Sequence, residues 1–233
     1  MPVRFRKFDI QWFGYATVRI ETPDEYVIYL DPGRYGVLED YNAHDGDLVC
    51  VTHNHHYDSD GIERVAHEDA TVVIYSEVTP DNISRAVAQI EELPYTTRIV
   101  DETESLTIDE VSIQTLPAYN NSDGPHTDAQ GNPYHPKGFG VGYYLTINDF
   151  SILWPGDSDA LDIHATFDVS LFLPPIGGSF TMDRREAASL TAMIEPELTL
   201  PIHYNTFEAL ETDANAFVTD VASHSHPVVL DES

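Results

Sequence analysis

Short apolar stretches broken by turn residues dominate the first half of the chain, and their spacing predicts strands. Phe8–Phe13 and Thr17–Glu21 flank a turn at Gly14, and Tyr26–Leu30 ends at Asp31-Pro32-Gly33. Leu48–Val51 is apolar throughout, as a strand buried on both faces must be. Gly61–His67 reads as a short helix and Thr71–Tyr75 as a further strand. Thr79-Pro80-Asp81 predicts a helix start, with Thr79 as N-cap and Pro80 at the first position. Ile83, Val87 and Ile90 follow at helical spacing, and Pro94 would end it.

Arg98–Val100, Leu106–Ile108 and Val111–Leu116 predict strands, the last two joined by Asp109-Glu110. Ala118–Gly138 is a long polar insert rich in Asn, Asp, Gly and Pro; structureless loops of that length are uncommon in compact domains and are often functional. Gly140–Ile147 and Ser151–Trp154 form a predicted hairpin across Asn148-Asp149. Val169–Leu173 reads as a buried strand. Asp183 caps a predicted helix with apolar positions Ala187, Leu190, Met193 and Ile194. Leu198–Ile202 runs into His203, a helix covers Thr212–Ala222, and Val228–Leu230 closes the chain. The order is strand-rich with helices in both halves. It predicts an α/β (α+β) fold, a two-sheet core covered by helices, and 233 residues suit one large domain or two small ones.

Composition adds a constraint on the surface. The chain has 40 acidic and 11 basic side chains, a formal net charge of -29, and only two lysines, Lys7 and Lys137. The charge is spread along the chain rather than gathered in a tail. A lysine-poor, uniformly acidic surface over an apolar core is expected of a protein adapted to high salt, where the Debye length falls to about 3 Å at 1 M. The other reading is an acidic protein with a basic partner. A basic face for phosphate neutralisation is missing, which argues against nucleic acid as a partner; in a salt-adapted protein, whose whole surface is shifted acidic, the argument weakens. Cys50 is the only cysteine, so it is expected to be a small core residue and no disulfide can form within the chain. Arg4, Arg6 and Lys7 are followed by no apolar stretch of the kind a signal peptide needs, and no apolar run approaches the roughly 18 residues of a membrane span. A cytoplasmic protein with no membrane partner is expected, acting on a small-molecule substrate; homo-oligomerisation is left open.

The chemistry lies in the histidines. His53, His55, His56 and Asp58 fall within six positions directly after the apolar run Leu48–Val51. Residues two apart in an extended segment face the same side, so the His53 and His55 imidazoles can reach one ion at about 2.0–2.1 Å. Other candidate ligands stand at other strand ends: His126 and His135 in the polar insert, Asp157 after Ser151–Trp154, and His203 after Leu198–Ile202. His56 reads equally as a partner of the ligands or as a solvated loop residue. His44, His67, His164, His224 and His226 carry no such signal. Lys137, two residues past His135, reads equally as a point-charge contact for a substrate phosphate or carboxylate and as a surface lysine. Gly177-Gly178 suits a tight loop beside such a site.

Several short motifs occur together in order: Trp12-Phe-Gly, Tyr29-Leu-Asp-Pro, Val51-Thr-His-Asn-His, Leu116-Pro-Ala-Tyr-Asn, His135-Pro-Lys-Gly, Trp154-Pro-Gly-Asp-Ser-Asp, Pro175-Ile-Gly-Gly-Ser-Phe-Thr-Met-Asp and Pro201-Ile-His-Tyr-Asn-Thr. With them the chain resembles the metallo-β-lactamase superfamily, and within it the branch typified by ascorbate-6-phosphate lactonase. The resemblance implies a single domain over residues 1–233, a four-layer αββα sandwich with one or two divalent metal ions, Zn or Mn, at one edge. His53, His55 and His135 would hold the first ion, Asp157 would bridge two, and His203 would hold the second. The chain departs from the family's His-x-His-x-Asp-His loop: an ungapped match puts Tyr57 at the aspartate and Asp58 at the histidine. A second register, Asn54-x-His56-x-Asp58, puts Asp58 at the aspartate. In both, Asp58 is the expected oxygen ligand, while the Tyr57 phenol, with an ordinary pKa of about 10, is a poor one. Tyr15 also departs, where the branch usually has Gly-His.

The resemblance implies a metal-dependent hydrolase in which a metal-bound hydroxide attacks an ester, lactone or phosphoester bond of a small, anionic molecule. Asp157 would orient the nucleophile, and Asp58 or His203 would move the proton. Two other functions fit the same fold: a phosphodiesterase or nuclease, and a non-catalytic metal or ligand sensor.

Overall fold

The computed structural model describes residues 2–33, 35 and 37–231. They fall into two compact units, one comprising residues up to Asp101 together with Asp231, the other Glu102–Leu230.

The first unit is built on seven strands that lie side by side in sequence order: β1 (Val3–Phe5), β2 (Phe8–Gly14), β3 (Thr17–Glu21), β4 (Val27–Leu30), β5 (Gly46–Val51), β6 (Ala66–Tyr75) and β7 (Thr96–Val100). Pairing is antiparallel from β1 to β4 and parallel from β4 to β7. In β5 the residues from Leu48 onward are all fully buried, which is why this strand shows no alternation: both of its faces are covered. Cys50 is one of them, and burial holds its thiol protonated. Helix α1 (Ser59–Val65) connects β5 to β6 and starts two residues before the expected Gly61.

No helix follows Thr79, contrary to the capping signal. Residues Pro80–Asn82 make one 3-10 turn, Thr79 makes no side-chain cap, and a second turn forms only at Ile90–Glu92. Tertiary partners take the groups a helix would have used. The Thr79 N–H donates to Asn54 Oδ1 at 2.7 Å, the Ala88 N–H donates to Ser59 Oγ at 3.0 Å, and the Ala88 carbonyl accepts the Tyr57 hydroxyl at 2.9 Å. Ile83, Val87 and Ile90 are only half-buried, so helical spacing had no core to face.

The second unit carries β8 (Ser105–Ile108), β9 (Val111–Ala118), β10 (Gly140–Ile147), β11 (Phe150–Trp154), β12 (Leu171–Phe172), α2 (Arg184–Ile194), β13 (Leu198–Thr199) and α3 (Ala214–Ser223). Its six strands lie in the order β13-β12-β11-β10-β9-β8, antiparallel across β8 to β11 and parallel across β11 to β13. Two-residue turns join β8 to β9 and β10 to β11, with Asp109 and Asn148 both at positive φ, as hairpins that match strand twist require. The strands expected over Val169–Leu173 and Leu198–Ile202 are shorter. Their flanking residues still bond to the sheet, Leu173 N–H to the Leu153 carbonyl and Leu200 N–H to the Phe172 carbonyl, and the Ile202 N–H goes on to the Pro174 carbonyl.

Helix α2 begins as expected. Asp183 accepts the N–H groups of Arg185 and Glu186, and Glu186 accepts the Asp183 N–H in return. Met193 does not join its buried face: it is 57% exposed, whereas Ala187, Leu190 and Ile194 are buried. Nor is the polar insert structureless. Asp128 accepts the N–H groups of Gln130 and Asn132, Thr127 pairs with Pro133, and the Tyr134 N–H donates to the His126 carbonyl. Among the described residues, no helix is long and apolar enough to cross a membrane.

Candidate functional site

In the first unit the candidate ligands follow β5 without a break. Thr52 is tied at its N–H to Asp31 Oδ1 (2.8 Å), and its hydroxyl donates to Asp31 Oδ2 (2.9 Å). With its own hydrogen committed, the Thr52 hydroxyl accepts from His53 Nδ1 at 2.9 Å. His56 Nδ1 lies 3.0 Å from Asp31 Oδ2 and donates there. Both imidazoles therefore carry hydrogen on Nδ1 and present Nε2 as a lone-pair donor, the tautomer that a metal ligand fixed by a carboxylate adopts. The His53 ring lies 4.3 Å from the His56 ring and 5.1 Å from the His55 ring, centroid to centroid. His53 and His56 are buried and His55 is exposed. Tyr15, where the family pattern departs, packs edge-on against His56 at 5.0 Å.

The two residues at the irregular end of this loop are otherwise employed. Asp58 is the N-cap of α1, with Oδ1 accepting the Gly61 N–H at 3.1 Å, and Oδ2 lies 3.8 Å from Arg85 Nε. Tyr57 is fully buried, and its hydroxyl donates to the Ala88 carbonyl. Burial, reinforced by Glu91, Glu92 and Asp58, pushes that phenol up to about 12, so it stays protonated at neutral pH. Within this loop the His55 and His56 rings stand beside His53.

In the second unit three candidates converge. Asp157 follows β11, His203 follows β13, and His135 closes the polar insert. His135 Nε2 lies 3.4 Å from Asp157 Oδ2, and His203 Nε2 lies 3.3 Å from Asp157 Oδ1. All three side chains are buried. His135 is held at both ends: its N–H donates to Asn120 Oδ1 (2.9 Å), and Nδ1 donates to the Phe180 carbonyl (3.1 Å). The hydrogen on Nδ1 leaves an Nε2 lone pair directed at a carboxylate oxygen, at more than ordinary hydrogen-bond length. Two acceptors facing each other in a buried place is the arrangement a shared cation relieves, so this donor set fits a divalent ion. His203 has a positive φ of 57°, strained for a residue with a side chain. Gly177 makes room for that strap: a Cβ there would stand 2.6 Å from the His203 carbonyl oxygen.

His126 is placed elsewhere. Its Nδ1 lies 2.7 Å from Asp159 Oδ1 and its Nε2 3.5 Å from Glu186 Oε2. Burial opposes charging this ring, but the bond to Asp159 and the charges of Asp159, Glu186 and Asp183 outweigh it and raise its pKa. Asp159 also accepts from Asn120 Nδ2 and the Asn121 N–H. His126 thus ties the polar insert to the sheet and to α2.

Asp31, Thr52 and Asn120 are the residues that motif reading passed over. All three lie within motifs quoted above, but their work is visible only once β4, β5 and the insert are folded.

A family model described as a beta-lactamase superfamily domain matches residues 9–203. A metal-dependent hydrolase from Methanopyrus kandleri is 32% identical over 224 residues, 91% of this chain and 90% of that protein. Another from Thermococcus kodakarensis is 29% identical over 231 residues, 95% of each. Among solved structures, the metallo hydrolase Igni18 from Ignicoccus hospitalis superposes with a TM-score of 0.71 at 22% identity, covering 96% of this chain and 94% of that one. The metallo-β-lactamase fold protein YhfI from Bacillus subtilis does so with a TM-score of 0.65 at 14% identity, covering 93% and 89%. The chain belongs to the metallo-β-lactamase superfamily, in the family of metal-dependent hydrolases that these relatives represent.

Proposed function

We propose that the chain hydrolyses an ester, lactone or phosphoester bond of a small molecule, using one or two divalent ions, zinc or manganese, held by His53, His55, His135, Asp157 and His203. The observation that carries this reading is the buried Asp157 carboxylate flanked on its two oxygens by the Nε2 atoms of His135 and His203. Family membership supports the view that the imidazoles of the first unit serve the same centre. A divalent ion bound there supplies Lewis acidity and brings the ionisation of water near neutral pH.

The chain's own residues do the rest. Asp31, acting through Thr52 and directly, fixes the tautomers of His53 and His56. The Phe180 carbonyl does the same for His135. Asp157 orients the attacking water, and His203 holds or returns the proton for the leaving group. Asp58 was the other candidate for proton transfer, but its engagement with Gly61 and Arg85 leaves that work to Asp157 and His203 in this proposal. The motif resemblance supports a lactone or ester as substrate. The net charge of -29 supports a protein working in concentrated salt.

Alanine at His53 together with His55 is the test. Elemental analysis and turnover of a panel of esters, lactones and phosphoesters should fall to background together while circular dichroism is retained. Turnover that persists without bound metal overturns the reading.

A further inference from the structure

Lys137 is the only lysine or arginine between Arg98 and Arg184, the stretch that supplies His135 and Asp157. It stands two residues past His135 in a tight turn, closed by the Phe139 N–H on the Pro136 carbonyl at 3.0 Å, with Gly138 at a φ of 82°. That turn is fixed to the candidate ligands. The Asn120 N–H donates to the His135 carbonyl at 2.8 Å, while the His135 N–H returns to Asn120 Oδ1. The preceding residue, Tyr119, receives the side chain: Lys137 Nζ lies over its ring, 4.6 Å from the centroid. Tyr119 is itself anchored one and two residues past Asp157, its N–H to Ser158 Oγ at 3.2 Å and its carbonyl to the Asp159 N–H at 3.0 Å.

In a chain with 40 acidic side chains a carboxylate partner is easy to find, yet among the described residues Lys137 has no carboxylate partner. A ring face steadies an ammonium without consuming its hydrogens, so all three N–H donors remain for a ligand. The side chain is exposed, so a ligand can reach it. A fixed positive charge on the frame that holds His135 and Asp157, in a segment otherwise without lysine or arginine, matches a substrate with an anionic group.

We infer that Lys137 binds an anionic group of the substrate, a phosphate or carboxylate set apart from the scissile bond, and so selects anionic substrates. The inference rests on the proposed hydrolytic reading for the meaning of "substrate", but its test does not depend on turnover.

Sub-millimolar inorganic phosphate and succinate are titrated calorimetrically into metal-treated wild type, Lys137→Met and Lys137→Arg, with metal content and unfolding midpoint read on the same samples. At least one anion should bind Lys137→Met about tenfold more weakly, the scale of a lost charge-assisted hydrogen bond. Lys137→Arg should stay within about twofold of wild type, and metal content and midpoint should not change; the anion with the larger loss names the group recognised. Equal affinities in wild type and Lys137→Met, or no binding of either anion to wild type, overturn the proposal. A wild type that takes up no divalent ion overturns the hydrolase reading instead, and Lys137-dependent anion binding in that sample would still support the anion site.

Discussion

The Asp31 carboxylate grips the His56 imidazole, Oδ2 to Nδ1 at 3.0 Å, with both side chains buried. The same oxygen takes the Thr52 hydroxyl that steadies His53, and Oδ1 takes the Thr52 N–H. One carboxylate thus sets the orientation of two histidines, and Asp31 accepts a positive φ of 42° at the end of β4 to do it. Asp31→Asn would keep the shape but turn an amide N–H₂ toward groups that need an acceptor. Metal affinity, measured by competition with a chromophoric chelator, should fall about 10- to 100-fold, the usual effect of losing such a partner. An unchanged affinity would mean that the relay does not matter to the ligands.

The cap and ligand roles of Asp58 separate cleanly by substitution. Asparagine caps a helix about as well as aspartate, whereas alanine costs about 1 kcal/mol. Asp58→Asn should therefore keep both the midpoint of urea unfolding and the metal content, and Asp58→Ala should lose roughly that stability while keeping its metal. Loss of a metal equivalent in Asp58→Asn would restore the ligand role.

His164 gives the fold an acid-sensitive point. Burial alone holds its pKa down to about 4, and its Nδ1 accepts the Leu161 N–H at 3.3 Å, which requires the neutral ring. In the unfolded chain the ring charges at its ordinary 6.5. Below that value the unfolded state binds the extra proton, so stability falls as pH drops from about 6.5 to about 4. His164→Asn keeps an acceptor near Nδ1 but does not titrate. Urea unfolding at pH 7 and pH 4 should show a smaller acid loss in the variant, by up to about 3 kcal/mol. Equal losses in both proteins would refute the assignment.

His126 has the opposite sign. Its pKa is raised in the fold, so its contribution is present below the unfolded value and is lost as pH rises through the folded one. His126→Asn should be more destabilising at pH 6 than at pH 9 in thermal melts. A deficit independent of pH would reduce His126 to a packing residue.

With a net charge of -29, self-repulsion should dominate at low salt. The Debye length is about 10 Å at 0.1 M and about 3 Å at 1 M, so the melting midpoint should rise steeply with potassium chloride over that range. A flat profile would count against salt adaptation.

Much of the framework follows from local pattern. Leu48–Val51 is apolar because β5 is covered on both faces, and Asp183 with Glu186 marks the start of α2, since a cap needs only neighbouring residues. The likelihood of a metal loop is also visible locally, because His-x-His after a strand is a short-range signal. What depends on distant partners is not visible. Thr79-Pro80-Asp81 has the chemistry of a helix start, but Asn54, Ser59 and Tyr57 claim the backbone that a helix would have used. His126 and His135 are near-equivalent in sequence; Asp159 lies within reach of one and Asp157 of the other because the insert folds back along Asn120. Asp58 reads as a ligand beside its histidines, and its second role, as the cap of α1, shows only once the helix starts at Ser59. Sequence by itself determined the apolar strand segments such as Leu48–Val51, the cap at Asp183 and the types of donor available. Tertiary structure alone decided which donors meet, because a side chain's partner across a sheet is set by strand pairing and loop closure, not by its neighbours along the chain.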